Sequence, residues 1–231
     1  MIAIIDYGVG NLFSLRSSFA AVGADAVVTG DPAVIHAADR LILPGVGAFR
    51  DAADKLRASG LFDVVREEAL SGKPLLGICL GMQMLFDRSL EYGVHEGLGL
   101  IPGEIRPIAE VIPSSLKIPQ IGWNALLMNS QPSGVLRDIR EGDCVYFVHS
   151  YQAVCDDQYI TARTEYGGLL TAAVRKGNVY GCQFHPEKSG AVGLRILKTF
   201  CETEATSCGS CPPLTCTKAK PSVCTKATTA K

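Results

Sequence analysis

The stretch Gly77-Ile78-Cys79-Leu80-Gly81 constrains the fold of this chain more than any other. It follows the apolar run Pro74-Leu75-Leu76, which glycine ends too abruptly for a whole helix, and precedes Met82-Gln83-Met84-Leu85-Phe86, which is long enough to begin one. Strand, sharp turn and helix is the arrangement this predicts. A residue at the tip of such a turn is held in strained backbone geometry, and flanking glycines let neighbouring backbone pass close by. The side chain at the tip is a thiol at a helix N-terminus, where unpaired amides favour negative charge. A cysteine between apolar residues is more often a small buried hydrophobe, so its partners decide. As a nucleophile, Cys79 implies acyl transfer through a thioester, with the backbone N–H of Leu80 as an oxyanion donor.

The stretches around this turn predict an α/β chain. Met1 to Asp6 reads as a buried strand, and Leu12, Leu15, Phe19 and Val22 form one stripe of a helix that Gly23 stops. Short strands follow at Ala26-Val27-Val28 and Arg40-Leu41-Ile42-Leu43, the latter running into Pro44-Gly45-Val46-Gly47. Two glycines around one valine let backbone approach a ligand or turn an N–H into a site, although an ordinary turn into the helical stretch 48–70 explains them as well. Alternating strands and helices imply a mostly parallel, doubly wound sheet with flanking helices, its sites at the carboxyl ends of the strands. Cys79 and residues 44–47 then share one rim. Beyond Phe86, short alternating runs at 103–108, 116–121, 143–148, 159–164, 170–175 and 178–183 predict added antiparallel strands, with Lys176-Gly177-Asn178 as a hairpin turn. A helix over 195–201 closes the domain.

With 231 residues, 47% hydrophobic content and a formal charge of −1, the chain suits one globular core and suggests neither nucleic acid nor an anionic membrane as a partner. No apolar run nears the roughly 20 residues that span a bilayer, and Met1-Ile2-Ala3-Ile4 lacks the basic start of a signal peptide, so a cytoplasmic location is expected. Cys79, Cys144, Cys155, Cys182 and Cys201 are scattered at unrelated spacings and read as reduced thiols.

Two histidines end strands in the second half, in Phe147-Val148-His149-Ser150-Tyr151 and in Gln183-Phe184-His185-Pro186-Glu187-Lys188. The proline between His185 and Glu187 fixes the backbone so that imidazole and carboxylate project from one short turn. His185 can take the thiol proton while Glu187 holds its ring in orientation. His36 and His95 read as exposed.

A cysteine on a Gly-x-Cys-x-Gly elbow with a late His-Pro-Glu resembles the class I glutamine amidotransferases over residues 1 to about 204. Within that class, Asp6-Tyr7-Gly8-Val9-Gly10-Asn11, Pro44-Gly45-Val46-Gly47, Gly122-Trp123-Asn124 and His185-Pro186-Glu187-Lys188-Ser189 look like the glutaminase subunits that serve a (β/α)8-barrel cyclase in histidine biosynthesis. The resemblance implies Cys79 as nucleophile, His185 as general base and acid, and Glu187 as the orienting residue. It implies that Gln83 and the backbone of His149, Ser150 and Tyr151 hold L-glutamine, with Val46 and Gly47 beside its carbonyl and Val46 as a second oxyanion donor. Asn11, Trp123, Tyr146 and Lys188 match positions at the docking face for the cyclase, in a heterodimer. No metal or organic cofactor is implied. A glutaminase serving another synthase, such as one making anthranilate, and a cysteine-based redox sensor on the same scaffold are the rivals.

The resemblance ends near Glu204. Four of the 22 basic residues and none of the 23 acidic ones lie beyond it, giving net charges of −5 for residues 1–204 and +4 for 205–231. The 205–231 segment is rich in Cys, Thr and Lys and has only Leu214 and Val223 as larger apolar residues, so disorder is expected of it. Cys208-x-x-Cys211 has the spacing of half a zinc site, but Cys216 and Cys224 lack the matching close spacing.

Overall fold

Ile2 and Ile4 face one apolar core while Ala3 and Ile5 face another, as alternation requires of a strand covered on both sides. The structure, a computed structural model, describes residues 1–129 and 133–203. In chain order its first half comprises β1 (Ile2–Ile5), α1 (Leu12–Ala21), β2 (Ala26–Thr29), α2 (Pro32–Ala37), β3 (Arg40–Leu43), α3 (Phe49–Ala58), α4 (Leu61–Leu70), β4 (Leu75–Ile78) and the single turn α5 (Leu80–Gln83). The second half comprises β5 (Phe86–Ser89), β6 (His95–Glu96), β7 (Ile101–Pro107), β8 (Gln120–Ala125), β9 (Leu127–Met128), β10 (Cys144–His149), β11 (Tyr151–Val154), β12 (Ile160–Glu165), β13 (Leu169–Lys176), β14 (Val179–Cys182) and α6 (Gly190–Cys201).

The main sheet has the order β2-β1-β3-β4-β14-β13-β12-β9. Its first five strands are parallel to their neighbours, and β13, β12 and β9 extend it antiparallel. Ile35 of α2, Phe49 and Leu56 of α3, and Leu61 and Val65 of α4 cover one face. Leu15 and Phe19 of α1 with Ile196, Leu197 and Phe200 of α6 cover the other. The mostly parallel doubly wound sheet with added antiparallel strands is therefore present, and two small sheets, β11-β7-β5-β6 and β10-β8, stand beside it. Among the described residues no helix is long and apolar enough to cross a membrane, and Cys79, Cys144, Cys155, Cys182 and Cys201 are all free thiols. The 205–231 segment lies outside the described residues.

Three expectations need correction. The helix after the elbow is a single turn: the Met84 and Leu85 carbonyls accept the N–H groups of Leu98 and of Leu100 and Ile101, so the chain leaves the helix and enters β5. Met84, Leu85 and Phe86 are all buried, which no single helical face would achieve. The expected strand at 116–121 is shifted to Gln120–Ala125, because Pro113 and Pro119 bracket a turn segment and cannot donate to a ladder. His95 is half-buried rather than exposed, with a buried Nε2 that finds no partner among the described residues.

In the main sheet β3, β4 and β14 are neighbours, so Leu43, Ile78 and Cys182 end side by side. The elbow nests against the end of β3 because glycines leave room: a Cβ on Gly81 would lie 1.9 Å from the Leu43 oxygen, and one on Gly45 would lie 2.6 Å from the Gly81 nitrogen. Both obstacles are backbone and cannot swing aside. Gly81→Ala should therefore cost about 3 kcal/mol of stability, read as a lowered midpoint in urea unfolding.

Candidate active site

Cys79 sits between β4 and α5 with φ 55° and ψ −113°, a strained conformation for a residue with a side chain. Its own N–H is held by the Cys182 carbonyl at 2.7 Å, which ties the elbow to β14. The N–H of Leu80 has no acceptor among the described residues. With only one helical turn behind it, an anion here would be held by individual amides rather than by the dipole of a long helix.

His185 follows β14 and opens the 3-10 turn Pro186–Lys188. Its N–H donates to the Tyr146 carbonyl at 2.9 Å, and its carbonyl accepts the Ser189 hydroxyl at 2.6 Å. Nδ1 lies 2.8 Å from Glu187 Oε1, with the two side chains only 3% and 1% exposed. A carboxylate oxygen accepts, so Nδ1 carries the proton and Nε2 is the nitrogen left for Cys79. Burial alone would lower the pKa of His185, but the hydrogen bonds to Cys79 and Glu187 outweigh it and raise it to about 9. The structure thus orients the His185 ring on Glu187 and leaves its Nε2 for Cys79, which lies near enough to contribute to the raised pKa. Burial pushes the Cys155 thiol up to about 11 and the Cys182 thiol higher still, which keeps both protonated near neutral pH.

A cavity of about 380 Å³ opens beside Cys79, with Val46, Gly47 and Leu80 on one side and Gln83, Ser150 and Tyr151 on another. His149 lines it as well, but both ring nitrogens are occupied: Nδ1–H donates to the Tyr151 carbonyl at 2.8 Å, and Nε2, the acceptor of a neutral ring, lies 3.0 Å from the Gln120 side-chain amide, which must turn its NH2 toward it. Its imidazole therefore shapes the Tyr151 backbone instead of reaching into the space. Burial lowers its pKa to about 4 and keeps it neutral. Gln83 is likewise committed through its amide nitrogen, 3.0 Å from Gln183 Oε1 and 3.2 Å from the Tyr151 carbonyl.

Two residues at the site were missed in the sequence. Gln183 is fully buried and directs Nε2 at Cys79 Sγ, 3.7 Å away. Its signal was available: it lies two residues before His185 at the end of a strand, where alternate residues share a side. Glu91 supplies a carboxylate to the cavity wall, while its Oε2 accepts the Phe49 N–H at 2.6 Å at the start of α3. Nothing in the local sequence marks Glu91, because its place depends on the path of the loop between β5 and β6.

Away from the cavity, Trp123 is 56% exposed, which rules it out as a core residue. Its ring centroid lies 6.1 Å from that of Tyr146, and Lys188 Nζ lies 5.9 Å from the Tyr146 centroid. Asn11 stands at the start of α1, which packs against the turn carrying Lys188.

These features define a class I glutamine amidotransferase: the family described as Glutamine amidotransferase class-I matches residues 3–203, and the chain belongs to it. It is an enzyme of that family. More particularly, it is 48% identical over 204 residues to "Imidazole glycerol phosphate synthase subunit HisH" of Syntrophotalea carbinolica, covering 87% of this chain and 98% of that one. Its identity to the protein of the same name from Lactococcus lactis is 47%, covering 87% and 98% of the two chains. Among solved structures, "Structure of PurLQS from Thermotoga maritima" superposes with a TM-score of 0.67 at 19% identity over 87% of this chain and 97% of that one, a likeness of fold.

The two buried histidines make stability depend on pH in opposite senses. His185, raised from 6.5 to about 9, contributes stability that is complete below 6.5 and lost as pH rises through 9. His149, lowered from 6.5 to about 4, contributes stability present above 6.5 and lost as pH falls toward 4. Each is worth about 3 kcal/mol over its full range. Thermal melts should accordingly show a shallower alkaline decline in His185→Gln and a shallower acid decline in His149→Gln than in the parent chain.

Proposed function

We propose that this chain is the glutaminase subunit of an imidazole glycerol phosphate synthase, releasing ammonia from L-glutamine for a (β/α)8-barrel cyclase partner. The observation that carries the chemistry is the strained thiol at the mouth of a cavity of substrate size, beside a histidine whose ring a buried glutamate orients at 2.8 Å. The choice of synthase is supported by relatives that match almost along their whole length.

In this reading the thiol proton is already on His185, whose raised pKa favours the imidazolium, and Cys79 Sγ attacks the side-chain carbonyl of glutamine. His185 then delivers that proton to the leaving nitrogen, and ammonia departs as the glutamyl thioester forms. Water, deprotonated by His185, breaks the thioester and releases glutamate. Glu187 keeps the ring in its Nδ1–H form and stabilises the imidazolium. The carbonyl oxygen gains charge at each tetrahedral stage and needs two donors: the Leu80 N–H, and the Val46 N–H once the peptide between Gly45 and Val46 has turned. Gln83 and the backbone of Ser150 and Tyr151, with Gly47, frame the substrate, and the carboxylate of Glu91 suits its α-ammonium group. Gln183 assists by donating to the sulfur.

Ammonia loses its nucleophilicity when protonated in bulk water, so it needs a dry path to its acceptor. The exposed Trp123 with Tyr146 and Lys188 offers an aromatic anchor and a cation for the cyclase subunit, and Asn11 adds a polar contact.

Ammonia release from glutamine, measured for the chain alone and with a cyclase subunit plus its nucleotide ligand, tests this. Strong release in the full mixture, abolished by Cys79→Ser, is expected; release indifferent to the cyclase would point to another synthase, and none at all would defeat the reading. Trp123→Ala should weaken cyclase binding by about 2 kcal/mol, roughly 30-fold in Kd by titration calorimetry.

A further inference from the structure

Tyr7 lies outside the row of Cys79, His185 and Glu187, yet it engages the segment that carries Val46. Its ring is 5% exposed and packs in the core that also holds Ile5, Leu43 and Leu80. Its hydroxyl donates to the Pro44 carbonyl at 2.6 Å. No backbone N–H reaches that carbonyl, and the N–H groups of Gly45, Val46 and Gly47 find no acceptor, among the described residues. The phenol is thus the one hydrogen-bonding tether that these residues supply to 44–47.

Steric contacts complete the hold. A Cβ on Gly10 would lie 2.8 Å from Pro44 Cβ, and one on Gly45 would lie 2.8 Å from Leu80 Cβ. The peptide between Pro44 and Gly45 is therefore gripped by the phenol and the β1–α1 loop on one side and by the elbow on the other. Beyond it the hold ends: Gly47, at φ +89°, has open space around its Cβ position, and Val46 is exposed. A buried hydrogen bond to a carbonyl is strong because little water competes for it. Burial, with a smaller contribution from nearby Cys79, raises the pKa of Tyr7, so the hydroxyl remains a neutral donor.

We propose that Tyr7 is a positioning residue for this strand: its hydrogen bond pins the peptide between Pro44 and Gly45, so that the next peptide can turn its Val46 N–H toward the substrate carbonyl without the strand lifting off the elbow. The proposal rests on the glutaminase reading above and adds to it the anchor about which the strand turns.

Tyr7→Phe in the full chain, assayed with the cyclase subunit and its nucleotide ligand, is the test. The expected pattern is a fall of about tenfold in kcat for glutamine hydrolysis, with KM for glutamine within about twofold of the parent. Alkylation of Cys79 by iodoacetamide should also stay within about twofold, since the thiol and its histidine are untouched. An unchanged kcat, or alkylation that falls with kcat, would overturn the proposal. Hydrogen exchange needs neither glutamine nor partner: the buried Gly45 amide should exchange faster in the variant, and equal exchange would count against the anchor. A parent chain that releases no ammonia would defeat the glutaminase reading, and exchange would still decide on Tyr7. Should the phenylalanine variant not fold, 3-fluorotyrosine at position 7 keeps the ring and hydroxyl; activity within about twofold of the parent is expected, and a tenfold loss would overturn the proposal.

Discussion

Everything at the candidate site depends on how closely the elbow can approach the end of β3. Gly45, Gly77 and Gly81 have backbone atoms within 2.6 Å of where a Cβ would stand, so three strands of ordinary residues could not converge in this way. The contact forces Cys79 into its positive-φ geometry and sets residues 44–47 beside the thiol. Because β14 is the other neighbour of β4, it also fixes where His185 must emerge. The strain at Cys79 persists because the sheet on both sides over-determines the turn.

The second organising contact runs through β10. The Tyr146 carbonyl accepts the His185 N–H, and the Tyr146 N–H donates to Ser189 Oγ, whose hydroxyl returns to the His185 carbonyl. The side chain of the same Tyr146 stands between Trp123 and Lys188 on the surface. A residue of the proposed docking face thus shares a strand position with the backbone support of the proposed base. Binding there has a short physical route to the imidazole, through rigid hydrogen-bonded backbone rather than through a flexible loop.

Much of this was legible in the chain. Gly-Ile-Cys-Leu-Gly after an apolar run specifies a turn that few other patterns allow, and His185-Pro186-Glu187 places two polar groups on one rigid turn. Asp31-Pro32 marks the start of α2, where Asp31 accepts the Ala33 N–H. Less legible were Met84, Leu85 and Phe86, whose apolar run suits a helix equally well and becomes β5 because the returning segment 97–101 takes its carbonyls. Glu91 and Tyr7 were invisible as site residues, since each acts through a neighbour 37 or more positions away.

By itself the sequence determined the local geometry: which stretches alternate, where glycine permits a turn, and which thiol, imidazole and carboxylate occupy strand ends. These follow from steric limits on the backbone and from side-chain spacing, which act over a few residues. Only the tertiary structure decided the partners, because a hydrogen bond such as Tyr7 to Pro44, or Gln183 to Cys79, depends on the order in which strands lie in the sheet. That order is set by packing two cores at once, and no single stretch of the chain contains it.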